Sequence, residues 1–186
     1  MKNTADYPIV YSSADNRRDE LKALNFEQLI QLFKTLPPAD IQKLQGEVAG
    51  TILPATNTWG DILSWLSTHT PFPGNWVGKG FKANIPKNGK ANGKGYNRFL
   101  ILGMENRSMR FVTSIQASAV DGKPVLMMDY KPVNNFLGWI KALDEVRQLD
   151  ENNYLLCGYW FWPILGRSQF MMYHIYGPIG EFQDPD

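Results

Sequence analysis

The chain has 186 residues, of which 44% are hydrophobic and 13% aromatic, and its formal net charge is +1. That length suits one domain able to bury a core without staples, and a near-zero charge argues against a general nucleic-acid binder, which needs a basic surplus. The single cysteine, Cys157, excludes an intrachain disulfide and fits a reducing compartment.

Residues 1–20 are polar and read as a flexible arm, with 21–186 as one domain. No apolar run is long enough for a signal-peptide core or a membrane span. The expectation is a soluble cytoplasmic protein with no stable membrane insertion. "NFEQLIQLFKTLPP" predicts a helix. Asn25 is its N-cap, Gln28 completes a capping box, and Phe26, Leu29, Ile30 and Phe33 fall on one face. Pro37 and Pro38 end it, and "ADIQKL" reads as a following turn. "GEVAGTIL" (46–53) reads as a strand. "TWGDILSWLSTHT" predicts a second helix with Thr58 and Asp61 as its capping box, and His69 as a cation suited to its C-terminal end.

From Trp76 onward, short apolar runs alternate with turn signals. Strands are expected near 76–82, 96–103, 108–116, 124–130, 139–149, 153–161 and 169–176. The breaks are "KNGKANGKG", "MEN", "VDGK", "KPVNN", "DENN" and "PILGR". Seven or eight strands with short connections imply an antiparallel meander that closes or nearly closes, since closure removes exposed edges. Both faces of the strands carry apolar residues. Val125 and Met127 share a face with Asp129, and Leu126 and Met128 share the other with Tyr130. Phe170 and Met172 line up with His174 and Tyr176, opposite Met171, Tyr173 and Ile175. One face should therefore line a cavity or core, with the other partly covered by the helices.

In "PFPGNWVGKGF" (71–81), Gly74, Trp76 and Gly78 share parity. Two readings stand: Trp76 packs inward at the barrel end with Gly78 making room, or its indole walls a ligand cavity with the N–H as a polar handle. "GNWVGK" (74–79) resembles the Gly-x-Trp-x-Gly motif of a family of small bacterial proteins, in which the motif precedes a β-rich domain of unknown function. "DGKPVLMMDY" followed by "LDEVR" is similar to that companion domain. The resemblance spans about residues 30–180 and implies a lipocalin-like barrel, with little implied about activity. The insertion at 87–95 and "GYWFWP" depart from the pattern.

No P-loop or dinucleotide fingerprint is present. Lys79, Lys82, Lys87, Lys90 and Lys94, with no acid among them, read as a solvated hairpin tip, or as a contact for an anionic head group or membrane surface. Two distant histidines and one cysteine make no metal site. His174, on an aromatic face, reads as a satisfied core group; the sharper readings are a general base or an axial haem ligand. Cys157 reads as a small core residue. Charges inside strands need partners. Arg110 or Arg147 could pair with Asp129 or Glu145, and only one of Asp144 and Glu145 can face inward. In "LLCGYWFWP", Tyr159 and Phe161 share one face and Trp160 and Trp162 the other.

The fold class expected is mainly β: an antiparallel lipocalin-like barrel or half-barrel with two or three N-terminal helices, monomeric or homodimeric. The function expected is binding a hydrophobic or amphipathic small molecule, without cofactor. Trp76, Met127, Tyr159, Trp160, Met172 and Tyr176 would supply burial, and Arg110, Tyr130, Asp129 and His174 the polar anchors. The alternative is a cofactor-independent cyclase or isomerase on a polyketide- or terpenoid-like substrate, with Asp129 or His174 as its acid–base group.

Overall fold

A computed structural model of the chain describes residues 7–54, 69–70, 74–84, 92–133, 135, 141–162, 166–167 and 171–185, with the backbone alone given for 7–14, 69–70, 161–162 and 166–167. Two helices come first, α1 (Tyr7–Lys22) and α2 (Phe26–Thr35). The polar segment read as an arm is thus helical from Tyr7, and its far end is anchored because Leu21 is buried. The Asn25 capping box forms in full. Asn25 Oδ1 accepts from the Gln28 N–H at 3.0 Å, and Gln28 Oε1 accepts from the Asn25 N–H at 2.9 Å. These bonds satisfy two of the amides that a helix start leaves without partners.

The strands are β1 (Gly46–Ile52), β2 (His69–Thr70), β3 (Gly74–Asn84), β4 (Asn92–Ile101), β5 (Met104–Ala117), β6 (Pro124–Asp129), β7 (Ala142–Gln148), β8 (Asn153–Trp162), β9 (Gly166–Arg167) and β10 (Met171–Gly180). They pair antiparallel in the order β1-β10-β8-β7-β6-β5-β4-β3, and β1 pairs β3 to complete the ring. The result is a closed antiparallel barrel of eight strands. Short β2 extends from β3, and β9 pairs β8. Most of the second predicted helix lies outside the described residues. Its final residues are strand, with His69 opposite Asn75, so His69 does not cap a helix. The break placed at "MEN" falls earlier, because Leu102 and Gly103 both adopt positive φ (49° and 82°) and form a two-residue hairpin turn between Ile101 and Met104.

Two apolar layers result from the strand alternation. The interior holds Val48, Phe81, Phe111, Leu126, Met128, Tyr130, Val146, Tyr154, Leu156, Tyr173 and Ile175. One end of it is plugged by the α2–β1 connector, which inserts Ala39, Ile41 and Leu44 into the same cluster. Pro38 bridges to Arg147 and the Ala39 N–H donates to the Val146 carbonyl at 3.3 Å, fixing the plug on β7. The second layer is outside the barrel. There Leu29 and Phe33 of α2, with Leu21 of α1, cover Val125, Met127, Leu155, Cys157 and Met172. Each fully buried side chain of this size contributes about 1.5–3 kcal/mol of burial.

Arg147 locks that layer in place. Its guanidinium is wholly buried, lies 4.8 Å from the centre of the Phe33 ring, donates to the Phe33 and Leu36 carbonyls at 3.0 and 3.4 Å, and pairs with Asp121 at 2.7 Å. A helix C-terminus leaves carbonyls without partners, and a cation is suited to them. At the C-terminal side, Phe182 packs on Tyr96 with ring centres 4.9 Å apart, and Asp184 accepts from Lys94 at 2.7 Å. No helix among the described residues is long and apolar enough to cross a membrane.

Candidate functional site

The site grows from an irregularity in β3. A bulge falls between Trp76 and Gly78, opposite Phe99 and Arg98 of β4. A bulge adds one residue and reverses the alternation beyond it. Trp76 and Lys79, three residues apart, therefore both point inward. Two glycines make this possible. The Trp76 ring lies against Gly50 of β1, where any Cβ would overlap it. At Gly78, a Cβ would collide with the Val48 carbonyl oxygen and φ is +148°. Gly78 thus admits the β1 backbone, and Gly50 is the residue that makes room for the indole.

Lys79 is buried in the interior with three acceptors. Its Nζ donates to Asn97 Oδ1 at 2.7 Å, Tyr130 Oη at 2.7 Å and Asp144 Oδ2 at 2.8 Å. Tyr130 donates its hydroxyl proton to the same Asp144 oxygen at 2.8 Å. Asn97 Nδ2 donates to Tyr130 Oη at 2.9 Å, and Trp76 Nε1 donates to Asn97 Oδ1 at 3.0 Å. The ammonium also sits 5.3–5.8 Å from the centres of the Phe111, Tyr130 and Trp76 rings, within cation–π range. Burial lowers the Lys79 pKa, against the opposing charge and hydrogen bond of Asp144. Burial and then the Asp144 charge push the Tyr130 hydroxyl well above its ordinary value.

This cluster borders a cavity of about 50 Å³, walled by Trp76, Phe99, Met109, Tyr130, Trp160 and Tyr173. It lies toward the end opposite the plug, where β3, β7 and β10 begin and β4, β6 and β8 finish. The cavity is the size of one or two waters.

Of the residues singled out in the sequence, the structure brings Trp76, Tyr130 and Trp160 to this cavity. It places the others elsewhere. Met127 and Met172 belong to the outer layer beneath the helices. Asp129 shares their face of β6 and accepts from the Lys131 N–H at 2.9 Å. Arg110 is exposed, its backbone N–H held by Asn135 Oδ1 at 2.8 Å. Tyr159 donates to Glu145 Oε1 at 3.2 Å on the outer wall, where Ser118 and the Ala119 N–H also bind that carboxylate. His174 is buried outside the barrel, with Nε2 2.9 Å from Asn153 Oδ1 and its ring 5.8 Å from that of Tyr176. The physical reason is the same throughout: these residues have the opposite parity to Tyr130, Trp160 and Tyr173. Neither Asp129 nor His174, each offered as the single acid–base group of the cyclase reading, lines this cavity. His174 is also not placed to ligate a haem inside the barrel.

The sequence reading missed Lys79, Asn97 and Asp144. Asp144 was the inward member of the Asp144/Glu145 pair, and the available signal was that one of the two had to face in. Lys79 reads, with the acid-free lysines around the hairpin, as solvated or as a contact for an anionic head group or membrane surface, whereas the bulge in β3 turns it inward.

No family model matches the chain and no curated protein does. The Gly-x-Trp-x-Gly likeness rests on its short motifs. Among solved structures, a protein from Thermomonospora curvata is similar at 14% identity, covering 89% of this chain and 99% of that one with a TM-score of 0.48. Bovine odorant-binding protein complexed with its natural ligand is similar at 11% identity, covering 80% and 78%, with a TM-score of 0.42. Its complex with undecanal gives the same figures, 11%, 80%, 78% and 0.42. These are distant likenesses of shape, and the closure of the barrel stands on its own strand pairing.

Proposed function

We propose that the barrel binds a small amphipathic molecule at the end opposite the α2–β1 connector. The polar head would rest on Lys79, Asp144, Tyr130 and Asn97, and the apolar body against Trp76, Trp160, Tyr173 and Met109. One observation carries this reading: four polar side chains are gathered in the largely apolar interior of the barrel, at the floor of a cavity with aromatic walls. A core needs no such cluster, since apolar replacement of a buried ion pair is often neutral or stabilising. Ligand sites, in contrast, combine apolar walls with a few convergent polar groups. The cavity of about 50 Å³ accommodates a head group. The body of the ligand must displace Trp76, Met109 or Trp160, all of which are only partly buried.

The test is native mass spectrometry of the purified protein together with a titration of tryptophan emission by anilinonaphthalene sulfonate, an anionic amphipath. Saturable quenching that weakens about tenfold in Lys79→Met, the loss of one charge-assisted contact, supports the reading. An empty protein whose emission no amphipath changes would overturn it and leave a packed barrel.

A further inference from the structure

Resting on the proposed pocket, we infer that its ligand class is an aromatic or otherwise apolar aldehyde, held by Lys79 as a reversible imine. The interior amine borders a cavity. Of its three hydrogen-bond partners, Asp144 at 2.8 Å and Tyr130 at 2.7 Å can carry the protons that imine formation moves, and the third is the Asn97 amide oxygen. The walls are flat aromatic surfaces, suited to stacking on a conjugated carbonyl compound. Water is scarce at this depth, which favours a condensation that releases water and slows its reversal.

The steps balance within the site. As the aldehyde enters, the Lys79 ammonium passes one proton to the Asp144 carboxylate. The amine lone pair attacks the carbonyl carbon, and the C=O π pair becomes an alkoxide that takes the proton from Asp144, giving a carbinolamine. Asp144 then moves a second proton from nitrogen to the hydroxyl oxygen. The C–O bond breaks, water leaves, and the nitrogen lone pair forms C=N. The net change is ammonium plus aldehyde to protonated imine plus one water. Asp144 ends as the carboxylate that balances the iminium charge, in the place it held opposite the ammonium. The Tyr130 hydroxyl, already bonded to both groups, holds that oxygen in position. Lysines with this chemistry are those whose ammonium is disfavoured by an apolar site, and burial acts on Lys79 in that direction.

The experiment uses the full chain with equimolar naphthaldehyde and sodium cyanoborohydride, which reduces an imine to a stable secondary amine. The protein is digested and each lysine's occupancy measured. The expected result is labelling at Lys79 exceeding every surface lysine by about tenfold or more, as preorganisation of amine and acid–base group requires. Asp144→Asn should lower Lys79 labelling while the circular dichroism of the barrel is retained. Labelling spread over surface lysines with Lys79 unmodified would overturn the inference. A parallel titration with naphthalenemethanol, which has the same body and no carbonyl, separates two failures. If the alcohol quenches tryptophan emission saturably while Lys79 stays unlabelled, the pocket stands and the imine falls. If the alcohol does not bind and Lys79 is unlabelled, both fall.

Discussion

Lys79 and Asp144 hold each other's charge in a place water scarcely reaches, so removing one stresses the other. Lys79→Met should cost about 3–5 kcal/mol in urea unfolding, the range for breaking a buried pair. The double variant Lys79→Met, Asp144→Leu should cost less than the sum of the single changes, because no unpaired charge remains. His174 makes a different prediction. Burial, reinforced by Arg17 and Arg18 and opposed by Asp150, lowers its pKa from 6.5 to about 4. The unfolded chain therefore takes up a proton before the folded one does. This stability is complete above pH 6.5 and falls as the pH drops toward 4, at up to about 1.4 kcal/mol per pH unit. His174→Gln should flatten that limb of the urea midpoint against pH; an unchanged slope would show that His174 does not cause it. At this scale the sequence was only half legible. Trp76 and Trp160 read as wall residues and Tyr130 as a polar anchor, but parity alone does not separate Trp160 from Tyr159, since both faces of β8 carry aromatics. Lys79 could not be read as inward, because one inserted residue in β3 reverses the alternation and nothing in "WVGK" marks where it falls.

Among the elements, α2 was the most legible, since its capping box and apolar stripe both lie within residues 25–35. What holds it to the barrel was not legible, because Arg147 reaches it across more than a hundred positions. Arg147→Met should lower stability by about 3 kcal/mol and leave naphthalenemethanol binding unchanged, because the clamp is outside the barrel and the cavity inside. Burial favours the neutral Asp121 carboxyl, but the Arg147 hydrogen bond and the charges of Arg147 and Lys123 overcome this and hold its pKa below the ordinary 3.8. The stability from this pair is present above about that value and is lost as pH falls through the lower folded one. The β4–β5 hairpin shows an opposite case, a local conflict. Leu102 is 95% exposed at φ 49°, in a turn position that favours asparagine. Leu102→Asn should raise stability by up to about 1 kcal/mol, measurable as a higher urea midpoint with an unchanged slope.

For the molecule as a whole, the barrel was readable because regularly spaced strands with turn signals leave few other architectures. Which face turned inward was not, since both faces are apolar: one packs on itself and the other on two helices. Closure has a consequence for how the protein is made. β1 occupies Gly46–Ile52, and its pairing with β10 sets Ala49 against Tyr176 and Thr51 against His174. Seven of the eight strands can leave the ribosome in order, each beside its predecessor, yet the ring stays open until the last is made. Until then β1 and β8 both present unpaired edges, the form of backbone most prone to join another chain. A nascent chain arrested before Met171 should therefore be far more aggregation-prone than one released after Gly180, although the two differ by only ten residues.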